Sequence, residues 1–224
     1  MHEYLDEILP HPEGLDPSSM VHERTYVVRA YRKDNSTMIL RGAIRDQKPP
    51  HLYIASDPEP LTMHHMIIDL EVSVPMLEIT KAKVVMEVHP NERCPSIESH
   101  YEKLVGVSIA RGYNNRIREL FGGPRGCTHN TALLQAMAPV ALQSVWSFRM
   151  LQRREAGVSL TDETNAEESR EAAIRLNVNT CHVWDEHGEV VAYVRSGGPP
   201  RIPLSLEKRL GELGLDAEAW TEKP

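Results

Sequence analysis

Apolar and polar positions alternate through the first ninety residues of the chain, and a helical period replaces that alternation afterwards. Between Val21 and Asp46 the runs ERTYVVRAYRKD and STMILRGAIRD alternate or cluster β-forming residues around the polar tetrapeptide KDNS, which predicts two strands joined by a turn. A loop rich in proline and polar residues, from Lys48 to Leu61, leads into MHHMIIDLEVSV. There His64, Met66, Ile68, Leu70, Val72 and Val74 fall on one face and His65, Asp69, Glu71 and Ser73 on the other, the pattern of a half-buried strand. LEITKAKVVMEVH alternates in the same way, with Ala82, Val84, Met86 and Val88 on one side and VPM as the link between the two runs. The expectation is an antiparallel sheet of about four strands. Ahead of it, Pro10, Pro12, Gly14 and Pro17 interrupt residues 1–20, which show no period and read as an N-terminal arm.

After His89 and Pro90 the period becomes 3.6. Cys94 followed by Pro95 predicts the start of a short helix through Tyr101 and Leu104, since proline is tolerated in the first helical turn. Ile117, Leu120 and Phe121 mark a second short helix, closed by Gly122, Gly123 and Pro124. The longest helix begins at GCTHN, where Cys127 or Thr128 can cap the first amides. It carries Leu134, Met137, Ala141, Val145 and Phe148 at steps of three and four, with a kink expected at Pro139. An acidic stretch from Glu155 to Glu168 reads as a linker or exposed helix start, NTCHVWDEHGEVVAYV as two strands around a turn at Glu186 to Gly188, and LEKRLGEL as a short amphipathic helix. The fold class expected is α+β: an antiparallel sheet of four or more strands packed against C-terminal helices and ending in a small hairpin. The division expected is an arm over 1–20, one domain over 21–200 and a tail over 201–224.

Composition narrows the function. Hydrophobic residues make up 41% and charged residues 25%, an ordinary globular balance. The formal net charge of -7, with lysines and arginines scattered among acids, argues against a nucleic-acid partner, which needs clustered cations. The start MHEYLDEILP has neither a basic nor an apolar signal region, and no stretch approaches the roughly 20 apolar residues that span a bilayer, so a cytoplasmic protein with no membrane partner is expected. Three cysteines cannot all pair within one chain, and they read as reduced thiols.

Thiol chemistry is therefore available, and Cys127-Thr128-His129 at the start of the long helix is where it is best placed, because a helix N-terminus favours a thiolate. Cys94 heads another helix, and His64 lies on the apolar face of its strand, where an imidazole needs a partner. Thiolate and imidazole suit zinc and related ions. No CxxC, HExxH or HxH spacing occurs, so such a site would depend on the fold to gather it. The plain alternatives are packing for Cys94, a core position for Cys181 and His182 on a strand, and a solvated strand face for His65, Asp69 and Glu71. Arg24, Arg29 and Arg32 would pair with Asp46 across the first hairpin, or an arginine fork would hold a substrate carboxylate or phosphate.

HER at His22 to Arg24, RDQK at Arg45 to Lys48, His64 and Met66, the Pro90-to-Cys94 spacing, LVGVSIARGY, GCTH and NTCHVW together resemble a family of bacterial proteins grouped as a domain of unknown function, in which GCTH opens a long helix. The likeness runs from Val21 to Trp184, with His65 where an acidic residue and Asn130 where a leucine would be expected. It implies a bacterial cytoplasmic protein associated with catabolism of aromatic or acyl substrates.

Two classes of function follow. The first is a metal-dependent hydrolase or lyase acting on a small carbonyl compound such as an ester or 1,3-dicarbonyl. His64, Cys94, Cys127 and His129 would hold a divalent ion, zinc by preference, Arg24 or Lys48 would bind the substrate anion, and no nucleotide cofactor would be needed. In a variant without metal, Cys127 is the nucleophile and His129 or His64 its base. The second is a noncatalytic metal or iron–sulfur carrier, or a subunit of a catabolic complex. A homo-oligomer fits either.

Overall fold

The computed structural model describes residues 7–110, 112–158, 166–198 and 201–216, and the chain divides into two compact units, Met1–Val145 and Trp146–Pro224. The first unit contains the antiparallel sheet, in the order β1 (Glu23–Arg32), β2 (Thr37–Lys48), β3 (Leu61–Ser73) and β4 (Ile79–Val88). KDNS makes the first turn, with the Lys33 amide donating to the Thr37 carbonyl (3.0 Å) and the Asp34 carboxylate accepting from the Ser36 amide (2.8 Å).

The predicted alternation decides which face is covered. Met38, Leu40 and Ile44 of β2 are buried together with Met66, Ile68, Leu70 and Val72 of β3 and Ile79, Val84 and Met86 of β4. Leu40 lies opposite Leu70, and Ile44 opposite Met66. Each such side chain contributes about 1.5–3 kcal/mol by leaving water, which fixes the register, since a one-residue slip would turn the whole row outward.

Against this face come a 3-10 helix (Cys94–Leu104), α1 (Tyr113–Phe121) and α2 (Thr128–Glu155), in the order expected. The apolar row of α2 lies where predicted, with Leu134, Met137, Ala141, Val145 and Phe148 buried, and Leu133 is buried as well. Its seat on the sheet is Gly42. A Cβ there would stand 2.8 Å from the Met137 sulfur and 3.1 Å from Leu133 Cδ1, so the missing side chain lets the helix close on β2. Pro139 lies inside α2 and offers no amide to the preceding turn.

The second unit takes in the end of α2 and then α3 (Ala166–Asn177), a 3-10 turn (His182–Trp184), α4 (Glu189–Arg195) and α5 (Leu204–Leu213). LEKRLGEL is helical as expected. The C-terminal hairpin is not formed: residues expected as its second strand make α4, and Cys181 and His182, expected in a strand core, are exposed. A lone two-stranded hairpin is marginal in water. A helix instead buries Val191 completely and lets α4 pack against α3, and that burial outweighs the β-preference of Val190, Val191 and Val194. Much of the expected acidic linker, 159–165, lies outside the described residues. Of the arm, the part around a 3-10 turn at Pro17–Ser19 is described and exposed. No described helix is long and apolar enough to cross a membrane.

Candidate functional site

The buried stripe of β2 ends on a carboxylate. Asp46 continues the parity of Met38, Leu40, Gly42 and Ile44 and is 2% exposed, so a charged group stands in a core position. Such a group persists only when it is paired. Strand register supplies the partners, because Arg24 of β1 and His64 of β3 lie directly opposite Asp46 on either side, and opposed residues share a face. The pairing of β2 with β3 shifts just past Asp46, and that of β3 with β4 shifts at His65/Met66; irregularities of this kind re-aim side chains at a strand end.

Arg24 grips the carboxylate with both arms of its fork, Nε donating to Oδ1 (2.6 Å) and Nη2 to Oδ2 (2.7 Å). These hydrogen bonds outweigh the effect of burial and hold the Asp46 carboxyl down at about 2, while the same contact pushes the Arg24 guanidinium upward. Asp46 is thus ionised across the physiological range.

Helix α2 brings the next groups. The Cys127 carbonyl accepts the first helical bond from the Thr131 amide (2.9 Å), and the Cys127 amide donates to the Tyr101 hydroxyl (2.8 Å), whose ring stacks on Phe121 at 4.6 Å. Just before it, Gly126 is required by space: a Cβ would fall 2.5 Å from the Phe121 carbonyl oxygen and 2.8 Å from its Cβ. One helical turn ahead of Leu133, which rests at Gly42, His129 reaches over the end of β2.

His129 Nε2 lies 3.0 Å from Asp46 Oδ2, and His64 Nδ1 lies 3.2 Å from the same oxygen. The two imidazoles are stacked with centroids 3.9 Å apart. His64 Nδ1 is buried, and its approach to Asp46 lacks hydrogen-bond alignment, which leaves that nitrogen without a hydrogen-bond partner among the described residues. Burial, reinforced by the neighbouring His64, lowers the pKa of His129 against the pull of Asp46, which favours the neutral ring. A third imidazole, His22, stands just before β1 with Nε2 3.6 Å from Asp46 Oδ1.

One donor atom each from Asp46, His64 and His129 lies within 4.8 Å of the others, a group able to hold a metal ion. Bonds of about 2.0–2.2 Å place donors about 3.3–3.6 Å apart in a tetrahedral site and about 3.0 Å apart in an octahedral one. The 3.0 and 3.2 Å separations would need shifts of only a few tenths of an ångström for either. Two imidazoles and a carboxylate are also a donor set that first-row divalent ions accept.

Of the residues singled out from sequence, His64 and His129 meet. Cys127 and Cys94 stand outside the ligand group, and the carboxylate of Asp46 takes the place expected of a thiol. Cys127 Sγ instead faces the far nitrogen of His129, Nδ1, at 3.8 Å, and Cys94 opens the 3-10 helix half-buried. Arg24, expected to hold a substrate anion, holds Asp46, whereas Lys48 ends β2 half-buried. Asp46 entered the sequence reading only as an ion-pair partner, yet its parity with the apolar residues of β2 was a usable signal. His65 pairs with Arg45 in register, on the strand face opposite to His64.

No curated protein and no solved structure matches the chain. Residues 22–143, more than half of its length and the stretch that holds His22, Arg24, Asp46, His64, Cys127 and His129, match the family model described as protein of unknown function (DUF2889), and the chain belongs to that family.

Proposed function

We propose that this chain is a metal-dependent hydrolase or lyase acting on a small carbonyl compound, an ester, 1,3-dicarbonyl or acyl substrate, with Asp46, His64 and His129 holding the ion and zinc the preferred metal. The observation that carries the reading is the convergence of the three donors at the buried end of the sheet. Their protonation supports it, since Asp46 is held ionised and His129 is favoured neutral, the forms that ligate. A divalent ion there supplies Lewis acidity, polarising a carbonyl oxygen and lowering the pKa of water. Arg24 offsets the charge of Asp46, so the protein does little to dull the electrophile. Lys48, two residues beyond Asp46 and on the same strand face, is assigned the substrate anion.

Elemental analysis of protein purified without added metal should find about one equivalent of a first-row ion, as four-coordinate zinc sites hold one each. His64→Ala and His129→Ala should lose it, and a panel of esters and 1,3-dicarbonyls should reveal turnover abolished by chelation. Protein that neither retains nor takes up such an ion removes the reading.

A second reading rests on the contact between Cys127 Sγ and His129 Nδ1, which with the His129–Asp46 bond forms a thiol–imidazole–carboxylate series fit for nucleophilic catalysis. Under it Cys127→Ser abolishes turnover and His64→Ala spares it; the metal reading expects the reverse.

A further inference from the structure

We infer that His22 is a fourth protein ligand of the same ion, making the site a centre of three imidazoles and one carboxylate; the inference rests on the metal reading above. His22 stands two residues before Arg24, just ahead of β1, and its Nε2 approaches the same carboxylate that Arg24 holds, that of Asp46. The result is that all three imidazoles converge on one carboxylate, His64 and His129 at Oδ2 and His22 at Oδ1.

The His22 contact makes poor sense as an end in itself. At 3.6 Å it is too long for a hydrogen bond, Arg24 already satisfies Oδ1 at 2.6 Å, and His22 makes no hydrogen bond among the described residues. An imidazole aimed at a satisfied carboxylate gains little there, whereas an ion beside Oδ2 would give its nitrogen a strong partner. His22 stands outside the group of donors that lie within 4.8 Å of one another, so ligation requires its side chain to swing inward. His22 lies on irregular backbone ahead of the strand and its side chain is 37% exposed, so it can change rotamer without disturbing the sheet, while Asp46, His64 and His129 hold the ion from the buried side. The ion would thus be gripped by three ligands from β2, β3 and α2 and latched by one from the lead-in to β1. With four protein ligands, substrate must enter as a fifth or sixth, which zinc and cobalt accommodate.

X-ray absorption of zinc-loaded wild-type protein counts imidazoles directly, and three are expected; two would overturn the proposal without recourse to any variant. Cobalt(II) titration then tests the residue. His22→Ala and His22→Gln should bind cobalt about 10–100-fold more weakly than wild type, at least the effect of losing an outer partner of a ligand, with a changed visible spectrum that free imidazole restores. Affinity within twofold of wild type and an unchanged spectrum would sink the role of His22 while leaving the three-residue site intact. Wild-type protein that takes up no cobalt, or His64→Ala protein that binds it normally, would instead bring down the metal reading and this inference with it.

Discussion

Asp46 is the residue on which the site turns, and its protonation makes a prediction separate from catalysis. In the folded chain its pKa is held down at about 2, against an ordinary value of 3.8. Between those values the unfolded chain binds the proton and the folded chain does not, so stability rises with pH across the window and is lost as pH falls through it. The size is about 2 kcal/mol. His129 acts in the same direction from a higher pH, because burial keeps its ring neutral when the unfolded ring, with its ordinary pKa of 6.5, takes up a proton. Metal-free wild-type protein unfolded by urea at a series of pH values should therefore lose about 2 kcal/mol more between roughly pH 4 and pH 2 than Asp46→Asn, which starts lower and keeps only the slope of other paired carboxylates such as Glu71. Equal slopes for the two proteins would deny Asp46 its pairing. At this scale the sequence was half legible. His64 is marked by its place on an apolar strand face and His129 by its place at a helix start, but Asp46 stands out in the sequence only as an ion-pair partner for the arginines of β1, because a carboxylate on a core face is unexpected until its partners are known.

The elements show why those partners meet. Strand alternation places Asp46 and His64 opposite each other, and the seat of α2 on Gly42 carries His129 above them. The turn before α2 depends on Gly126, where the obstacle to a side chain is the Phe121 backbone, which has no freedom to give. Its φ of -161° is extended backbone open to any residue, so only the close approach demands glycine. Gly126→Ala should cost about 1–3 kcal/mol in urea unfolding and should weaken zinc binding by displacing Cys127 and His129 together. Gly42→Ala should be milder, because it meets the flexible end of Met137. The four strands and the long helix were legible because burying one face of each demands the period that the sequence displays. The C-terminal segment was misread because GEVVAYV carries β-branched residues without a partner strand, and tertiary burial of Val191 decided its conformation.

For the whole molecule, charge and site pull in opposite directions. The chain carries a net charge of -7, yet the immediate surroundings of its buried carboxylate are Arg24, His22, His64 and His129, so the acidity resides elsewhere and the site keeps no surplus of negative charge to attract cations unselectively. Ion binding there must come from directed donors, and an ion that binds the folded chain in preference to the unfolded one stabilises it by mass action. At a free concentration of 100 times Kd the gain is about 2.7 kcal/mol. Zinc at that excess should raise the Tm of wild-type protein by several degrees, excess chelator should reverse the shift, and His64→Ala should show none of it. Magnesium, which prefers oxygen donors and retains its water, should leave the wild-type Tm unchanged, because two of the three donors are nitrogens. A rise in Tm that His64→Ala shares, or that magnesium reproduces, would assign the stabilisation to the acidic surface and leave the ring of imidazoles around Asp46 as a structural device that secures one buried carboxylate.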